Sequence, residues 1–335
     1  MQIYGIDLAK GKFDVSFLQP TSKKASPKPM HKVIKNNAQA ITSFLKTLPE
    51  DAVLVAEHTG VYGDTLLKLC TDMKVKIAYV SGLIIHTYKC TPDRGKTDKK
   101  DCNTLREFGE RFFDKLIFNK FPSTALYELR QLSNQRTMLV EERKRIRTRQ
   151  KTEKCRPIQC DKVIESLRRL LESLDYEIAQ IERDIRDVIK KDKEIANHFN
   201  IITSIPGVGL VTALELITKS QNFTTISTAR EYAAYAGIAP YEKSSGKMNA
   251  GAHISKIGNR RSKTLLYICA ESARKHNKEI KLYYDRRTII EKKHKVYTLN
   301  AIANKLLRII FTLIRKNEIF DKEYICNDPR KLNKN

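Results

Sequence analysis

The chain has no long hydrophobic run. Of its 335 residues 41% are hydrophobic, yet no stretch approaches the ~20 consecutive apolar residues that a membrane-spanning helix needs. Its first residues, Met-Gln-Ile-Tyr-Gly-Ile, also lack the basic and then apolar layout of a secretory signal peptide. We therefore expect a cytoplasmic protein with no membrane partner.

Acidic residues are scarce relative to basic ones. The sequence contains 38 Asp and Glu against 63 Lys and Arg, which gives a formal net charge of +25. An excess of this size favours a polyanionic partner, and nucleic acid is the first candidate because its phosphates attract Lys and Arg.

Closely spaced cysteines are also lacking. The seven cysteines are scattered along the chain, and only Cys155 and Cys160 lie near each other. No second pair stands at the spacing of zinc ligands. The sequence therefore predicts reduced thiols, as in most cytosolic proteins.

The first 120 residues alternate extended and helical patterns. Strands are predicted over 2–8, 13–18, 32–35, 53–56 and 75–80, and helices over 38–48, 62–73, 83–89 and 99–113. Three strands followed by alternating helices and strands is the order of a ribonuclease-H-like α/β domain. The order alone also fits several other α/β folds.

Residues 123 to 197 form long, charged helices in the prediction. Apolar residues alternate steps of three and four, as in a heptad seam, at Ile164, Leu167, Leu171, Leu174, Ile178, Ile181, Ile185 and Val188. This seam predicts a coiled coil. A helix over 125–151 precedes it, with a very basic far end, and Pro157 separates the two, so we expect a helical hairpin or a dimerising stalk. The basic end is either a solvated face or a track for a phosphate backbone.

The last part of the chain is predicted to be mainly helical. Pro206–Gly207–Val208–Gly209 opens an apolar helix and is similar to the turn of helix-hairpin-helix DNA-binding units, in which Gly207 and Gly209 would bring backbone N–H groups to a phosphate. A tight turn without a ligand is the alternative. We expect helices over 229–236, 261–275 and 299–316, and domains over 1–120, 121–197 and 198–325, with a tail over 326–335.

Four carboxylates stand where two predicted strands and one helix place them together. Asp7 lies in the first strand, Glu57 ends a central strand, and Asp98 and Asp101 are one helical turn apart near the start of a helix. Oxygen ligands of this kind suit Mg²⁺ or Mn²⁺, and two such ions would stabilise phosphoryl transfer. Singly, each acid also has a structural explanation. Asp14 is expected in the second strand, outside this cluster.

A serine beside a glycine forms the other candidate site. Ser245 and Gly246 lie in a predicted loop between basic residues, where a hydroxyl could reach a phosphorus held by cations. A plain flexible loop is the alternative. Ser244 is a second candidate for the nucleophile. Lys256, Arg260 and Arg261 follow the loop, and we expect them to contact phosphate.

The motifs resemble a known family. Gly5-Ile-Asp-Leu-Ala-Lys10, Glu57-His-Thr-Gly60 and Lys96-Thr-Asp-Lys-Lys-Asp101 are similar to the DEDD insertion-sequence transposases, which are related to the DNA invertase Piv. Pro206-Gly-Val-Gly209, Ala233 to Pro240, Ser245-Gly246 and Ile254 to Arg260 resemble their second domain. The resemblance spans roughly residues 2 to 275. Cys102 departs from it where the family usually has Ala, and Ser81-Gly82-Leu83 lacks a frequent proline.

The resemblance implies an enzyme that combines a metal-binding domain with a serine nucleophile. A RuvC-like domain would bind divalent metal through Asp7, Glu57, Asp98 and Asp101, and Ser245 would form a phosphoserine link to DNA. The partners would be donor and target DNA and a structured non-coding bridge RNA that pairs with both. The coiled coil would join protomers into a dimer, and a tetramer in the synaptic complex, so that a serine of one protomer meets the acids of another. The resemblance places the protein at the nucleoid of a bacterial or archaeal cell.

Two other functions remain open from the sequence. One is a metal-dependent nuclease, such as a junction resolvase, in which Ser245 is structural. The other is a basic coiled-coil scaffold that binds nucleic acid through a degenerate nuclease fold, and the complete set of four acids argues against it.

Overall fold

The computed structural model describes residues 1–19, 28–58, 60–88, 97–245, 248–255 and 257–321, and between 242 and 253 it describes the backbone. The chain divides into two compact units, 1–121 and 122–335. The second unit includes both the predicted stalk and the helices that follow it. The three-domain division expected from the sequence remains a prediction.

A mixed five-stranded sheet forms the centre of the first unit. Its strands are β1 (Gln2–Leu8), β2 (Lys12–Leu18), β3 (Pro29–Lys35), β4 (Ala52–Glu57) and β5 (Lys76–Val80), in the order β3-β2-β1-β4-β5. Strands β1 to β3 are antiparallel neighbours, whereas β4 pairs in parallel with both β1 and β5. This architecture confirms the predicted α/β class of the N-terminal unit.

Helices cover both faces of this sheet. They are α1 (Ala38–Lys46), α2 (Asp64–Asp72), α3 (Gly82–Tyr88) and α4 (Asp98–Arg111), with 3₁₀ turns at Gly60–Gly63 and Phe113–Lys115. One apolar core contains residues of α1 and α2, and a second core contains Leu105 and Phe108 of α4. Strand β4 is buried along nearly its whole length because it lies between these two cores.

Two long helices open the second unit. Helix α5 (Thr124–Lys154) and helix α6 (Asp161–Lys191) form an antiparallel hairpin, since Arg136 bonds Glu182 whereas Arg143, further along α5, bonds Asp175. Every residue of the predicted heptad seam in α6 is buried or half-buried. The helical hairpin was predicted, whereas its being a coiled coil that joins protomers remains a prediction.

The remaining helices form one apolar core with the base of the hairpin. They are α7 (Lys193–Thr203), α8 (Leu210–Lys219), α9 (Ala229–Tyr235), α10 (Arg260–His276), α11 (Lys278–Asp285) and α12 (Lys295–Lys316), with a π-helical turn at Arg286–Ile290. This unit is mostly helical, as expected. Helix α11 and the π turn were not predicted. None of the described helices is long and apolar enough to cross a membrane.

The expected loop around Ser245 is instead part of a β-hairpin. Strands β6 (Pro240–Ser245) and β7 (Met248–Ile254) pair antiparallel between α9 and α10. The sequence signal for strands is weak here, because β7 is built from residues such as Asn249, Ala250 and Gly251, which have low strand propensity. The loop prediction was therefore wrong.

Candidate active site

The close approach of α4 to β1 brings the acidic residues together. Ile3, Gly5 and Asp7 share one face of β1, since side chains alternate along a strand. A side chain at Gly5 would overlap with the backbone of Cys102 and Arg106 in α4. Only glycine therefore allows the helix to lie directly against the strand. Cys102 is fully buried, and burial raises the pKa of its thiol to about 12, so it packs as a small neutral side chain.

Each predicted carboxylate lies at this junction between sheet and helix. Strands β1 and β4 pair in parallel as far as Ile6 and Ala56, and Asp7 and Glu57 are the next residues of the two strands. Asp98 and Asp101 lie in the first turn of α4, whose N-cap, Thr97, accepts a hydrogen bond from the Lys100 amide at 3.3 Å. The carboxylates thus come from two neighbouring strands and one helix N-terminus.

The electrostatics of Asp7 show that these charges act on one another. Burial, and then the charges of Asp101, Asp98, Asp14 and Glu57, raise the pKa of Asp7 from 3.8 to about 6. Like charges disfavour ionisation when they are close and poorly solvated. Asp7 therefore lies in a negative potential to which the four other carboxylates contribute.

Asp14 belongs to this cluster, contrary to the expectation from the sequence. It is the cross-strand neighbour of Asp7 in the β1–β2 ladder, and only 4% of it is exposed. Its carboxylate bonds the Nε2 atom of His31 at 2.7 Å and the Nζ atom of Lys12 at 3.1 Å. The sequence identified Asp14 as a residue of the second strand but could not place it opposite Asp7, because the register decides that.

Lys12 is a cation already present among the carboxylates. Its Nζ atom lies 3.0 Å from Oδ2 of Asp98 and 3.1 Å from Oδ2 of Asp14. The hydrogen bond from Lys12 lowers the pKa of Asp98. Over the part of the chain that the structure describes, no three His, Cys, Asp or Glu side chains form a ready metal cage. Asp98 is directed instead towards this ammonium group.

The donor set fits a hard divalent cation by its chemistry. All the converging donors are carboxylate oxygens, the ligand type that Mg²⁺ and Mn²⁺ prefer. Burial, and then the charges of the neighbouring carboxylates, raise the pKa of Asp7, so a cation beside it would be favourable. The ammonium group of Lys12 already supplies one positive charge at Asp14 and Asp98.

The second candidate site lies on the β6–β7 hairpin. Ser245 is the last residue of β6 and pairs with Met248, whereas Ser244 pairs with Asn249. Ser245 therefore stands at the end of the paired strands that is farthest from Pro240. Gly246, Lys247 and the predicted phosphate contact Lys256 lie outside the described residues.

The two predicted arginine contacts have different surroundings. Arg260 begins α10, whose N-cap, Asn259, accepts a hydrogen bond from the Ser262 amide at 2.9 Å. Arg261 is bound within the protein, since its Nε atom lies 3.2 Å from Oε2 of Glu215. Glu215 is 3% exposed and was not singled out from the sequence. A role for either arginine at phosphate remains a prediction.

The two glycines of the predicted helix-hairpin-helix turn also differ. Gly207 has a φ of +94°, and a side chain there would lie 2.6 Å from the Ala273 amide, so this glycine permits a close approach to α10. Gly209 is the exposed N-cap of α8. The geometry explains Gly207 by packing alone, and phosphate binding at this turn remains a prediction.

Comparisons with known proteins identify the class of enzyme to which the chain belongs. A family model described as "Transposase IS116/IS110/IS902 family" matches residues 199–285, and a second, for DEDD transposases of the IS110 type and described as "Transposase", matches residues 4–153. Together they cover most of the chain. The chain therefore belongs to the IS110-type transposase family, whose members are DNA transposases or recombinases.

Individual relatives have names of the same kind. The "Pilin gene-inverting protein" of Moraxella bovis is 26% identical over 335 residues, which cover 95% of this chain and 97% of the relative. The "Transposase for insertion sequence element IS1111A" of Coxiella burnetii is 30% identical over 148 residues, or 44% of this chain and 40% of the relative. A solved RuvC structure from Thermus thermophilus aligns with 36% of this chain and all of its own, at 11% identity and a TM-score of 0.24, which supports no conclusion.

Proposed function

We propose that this transposase is an RNA-guided DNA recombinase that excises and inserts an insertion sequence. In this proposal the N-terminal unit is a RuvC-like domain, and Asp7, Glu57, Asp98 and Asp101 hold Mg²⁺ or Mn²⁺. Ser245 of the second unit is the nucleophile. The observation that carries the proposal is the convergence of carboxylates around Asp7, whose pKa is raised to about 6 by burial and by their charges.

The proposed task of the carboxylates is to hold a divalent cation at the phosphate. When bound, a divalent cation would polarise the phosphate and stabilise the charge that develops on the attacking and leaving oxygens. Asp7, Glu57, Asp98 and Asp101 would hold and orient that cation. A bound cation would lower the pKa of Asp7, because it favours the ionised carboxylate.

The proposed chemical step conserves the number of phosphoester bonds. The Oγ atom of Ser245 gives up its proton and bonds to the phosphorus, while the bond from phosphorus to one deoxyribose oxygen breaks. That oxygen takes up one proton and leaves as a hydroxyl group, so the proton lost by the serine is balanced. Attack on the phosphoserine by the hydroxyl of another strand end then rejoins DNA and restores the serine, so no external energy source is needed.

The partners are proposed from the charge and the family resemblance. Donor DNA, target DNA and a bridge RNA are polyanions, and a chain with a net charge of +25 suits all three. We further propose that protomers assemble through the α5–α6 hairpin, that the assembled enzyme combines the serine of one protomer with the acids of another, and that it acts at the nucleoid.

A metal-dependent nuclease is the second candidate function. The specific observation in its favour is that the carboxylate cluster lies entirely within the first unit, built by β1, β2, β4 and α4. Such a site can activate water for phosphodiester hydrolysis without any serine. Ser245 would then only stabilise the hairpin.

A covalent adduct separates the two functions. The wild-type protein, incubated with its element-end DNA, co-purified RNA and Mg²⁺, should yield a denaturation-resistant protein–DNA species. Peptide mass spectrometry should place the DNA on Ser245. The adduct should be absent from Ser245→Ala and from Asp7→Asn, whereas Ser244→Ala, the matched control on the neighbouring residue, should retain it. Metal-dependent cutting that leaves no adduct and persists in Ser245→Ala would instead establish the nuclease.

A further inference from the structure

Hydrogen bonds hold the segment that leads into β6 and the segment that follows β7. On the entry side, the Ile238 carbonyl accepts hydrogen bonds from the side-chain amides of Asn300 and Asn304, both at 3.1 Å. On the exit side, the Asn259 amide donates to the Tyr235 carbonyl at 2.8 Å. Both segments that lead into the hairpin are therefore tied to the helical core.

Two glycines bring the entry and exit segments into contact. A side chain at Gly258 would lie 2.7 Å from the Cα atom of Gly237. Gly237 has a φ of +69°, a left-handed conformation that glycine adopts without strain. The hairpin consequently leaves the core as a closed stem, with Pro240 paired to Ile254 at its base.

A buried carboxylate fixes the exit side of this stem. Glu215 of α8 is 3% exposed, and its two oxygens bind two consecutive residues in the first turn of α10. Ser262 donates from its Oγ atom to Oε1 at 2.7 Å, and the Nε atom of Arg261 lies 3.2 Å from Oε2. The Oη atom of Tyr232, in α9, donates to Ser262 at 3.4 Å. One carboxylate thus connects α8, α9 and α10.

Because Glu215 is buried, its contacts with Arg261 and Ser262 strongly constrain the orientation of α10. A buried carboxylate is costly unless both oxygens are satisfied, and removing one partner of such a pair destabilises the surrounding structure. The network therefore has one favourable arrangement, in which Arg261 and Ser262 stay at Glu215. The orientation of the first turn of α10 follows from it.

We propose that Glu215 is a positioning residue that aims the hairpin carrying Ser245, and that Arg261 is its structural partner rather than a phosphate contact. The proposal rests on Ser245 being the nucleophile. From Pro240 to Ser245 the strand extends ~17 Å at about 3.3 Å per residue. A tilt of about 10° at the base would move the tip by ~3 Å, and a misplacement of ~1 Å can already cost roughly 100-fold in rate.

The test uses Glu215→Gln in the full-length protein. Glutamine keeps the shape and can still accept from Ser262, but it loses the charge that holds Arg261. Glu291→Gln is the control, because Glu291 pairs with Arg286 at 3.3 Å in the same unit, at the end of the π-helical turn. Arg261→Lys and Arg261→Gln test the partner, with lysine keeping the charge and glutamine removing it.

Two readouts separate positioning from general stability. In Glu215→Gln, hydrogen exchange of the hairpin amides should accelerate by about 10-fold or more, whereas exchange in α12 of the same unit should stay within about 2-fold of wild type. The kcat of strand cleavage should fall about 10- to 100-fold with a KM for DNA within about 2-fold of wild type. Arg261→Gln should resemble Glu215→Gln, Arg261→Lys should recover part of the rate, and Glu291→Gln should leave both readouts at wild type.

Other outcomes would overturn the proposal. Wild-type exchange and kcat in Glu215→Gln would remove its positioning role, as would hairpin amides that already exchange without protection in the wild type. A raised KM with unchanged kcat in Arg261→Gln would make Arg261 a phosphate contact. If Ser245→Ala kept the covalent adduct, the proposed nucleophile would be wrong, whereas the exchange result would still report on the hairpin.

Discussion

At the scale of single residues, the most informative group is Asp7, because its charge reports on the whole acidic cluster. Its pKa of about 6 in the folded protein lies above the ordinary value of 3.8. The folded state therefore binds this proton more tightly than the unfolded state does. The resulting contribution to stability is fully present below about pH 4 and is lost as the pH rises through about 6.

This sign gives a prediction for the metal-free protein. In EDTA, the unfolding free energy of the wild type relative to Asp7→Asn should fall by about 1–2 kcal/mol between pH 4 and pH 7, after allowance for the partial exposure of Asp7. Urea unfolding of both proteins across this range measures the difference. Mg²⁺ should restore stability at pH 7 in the wild type more than in Asp7→Asn. A difference that does not vary with pH would show that Asp7 is not in a strongly negative environment.

At the scale of secondary-structure elements, the contact between β1 and α4 determines the geometry of the carboxylates. Gly5→Ala should force α4 away from the strand, because the new methyl group would overlap with the backbone of Cys102 and Arg106. We expect a loss of about 2–3 kcal/mol in the stability of the first unit, as for other overpacked cores. Chemical denaturation followed by a probe in this unit measures it.

Gly11→Ala is the control for this substitution. Gly11 lies in the turn between β1 and β2, and a side chain there would meet nothing within 4 Å. Its stability should stay within about 0.5 kcal/mol of wild type. Equal stability of the two variants would mean that α4 can move without cost, and the packing explanation for the site would then fail.

The elements also show what the sequence could predict and why the rest was missed. Asp7 and Glu57 were readable because an alternating pattern and a short apolar run identify adjacent strands. Asp14 was misjudged because strand register is a property of the pair, and Glu215 was missed because nothing in an apolar helix such as α8 indicates which polar residue will be buried beside α10. The sequence around Ser245 predicts a loop instead of a hairpin because its residues have weak strand propensity.

At the scale of the whole molecule, the charge is unevenly neutralised. The far half of α5 is strongly basic, and Arg143 and Arg147 share Asp175 as an ion-pair partner at 2.7 and 3.8 Å. Within the described part of the chain, Lys144 and Arg149 have no recorded ion pair, and they line a surface groove along this half of α5. Binding a phosphate is more favourable for an unpaired cation, because a paired cation must first break its ion pair with a carboxylate.

Salt dependence distinguishes these two kinds of cation. The affinity of the protein for duplex DNA should fall with salt, with a slope of roughly −0.9 for each phosphate contacted, because counterions are released on binding. Lys144→Gln combined with Arg149→Gln should reduce the magnitude of that slope by about 1 to 2. Arg168→Gln should change the slope far less, because Arg168 is already paired with Glu165 and Glu172, both at 2.7 Å. Fluorescence anisotropy between about 50 and 200 mM salt measures both slopes. Equal slopes for wild type and the double variant would identify the far half of α5 as a solvated face, and the remaining cations of the chain would then account for the binding.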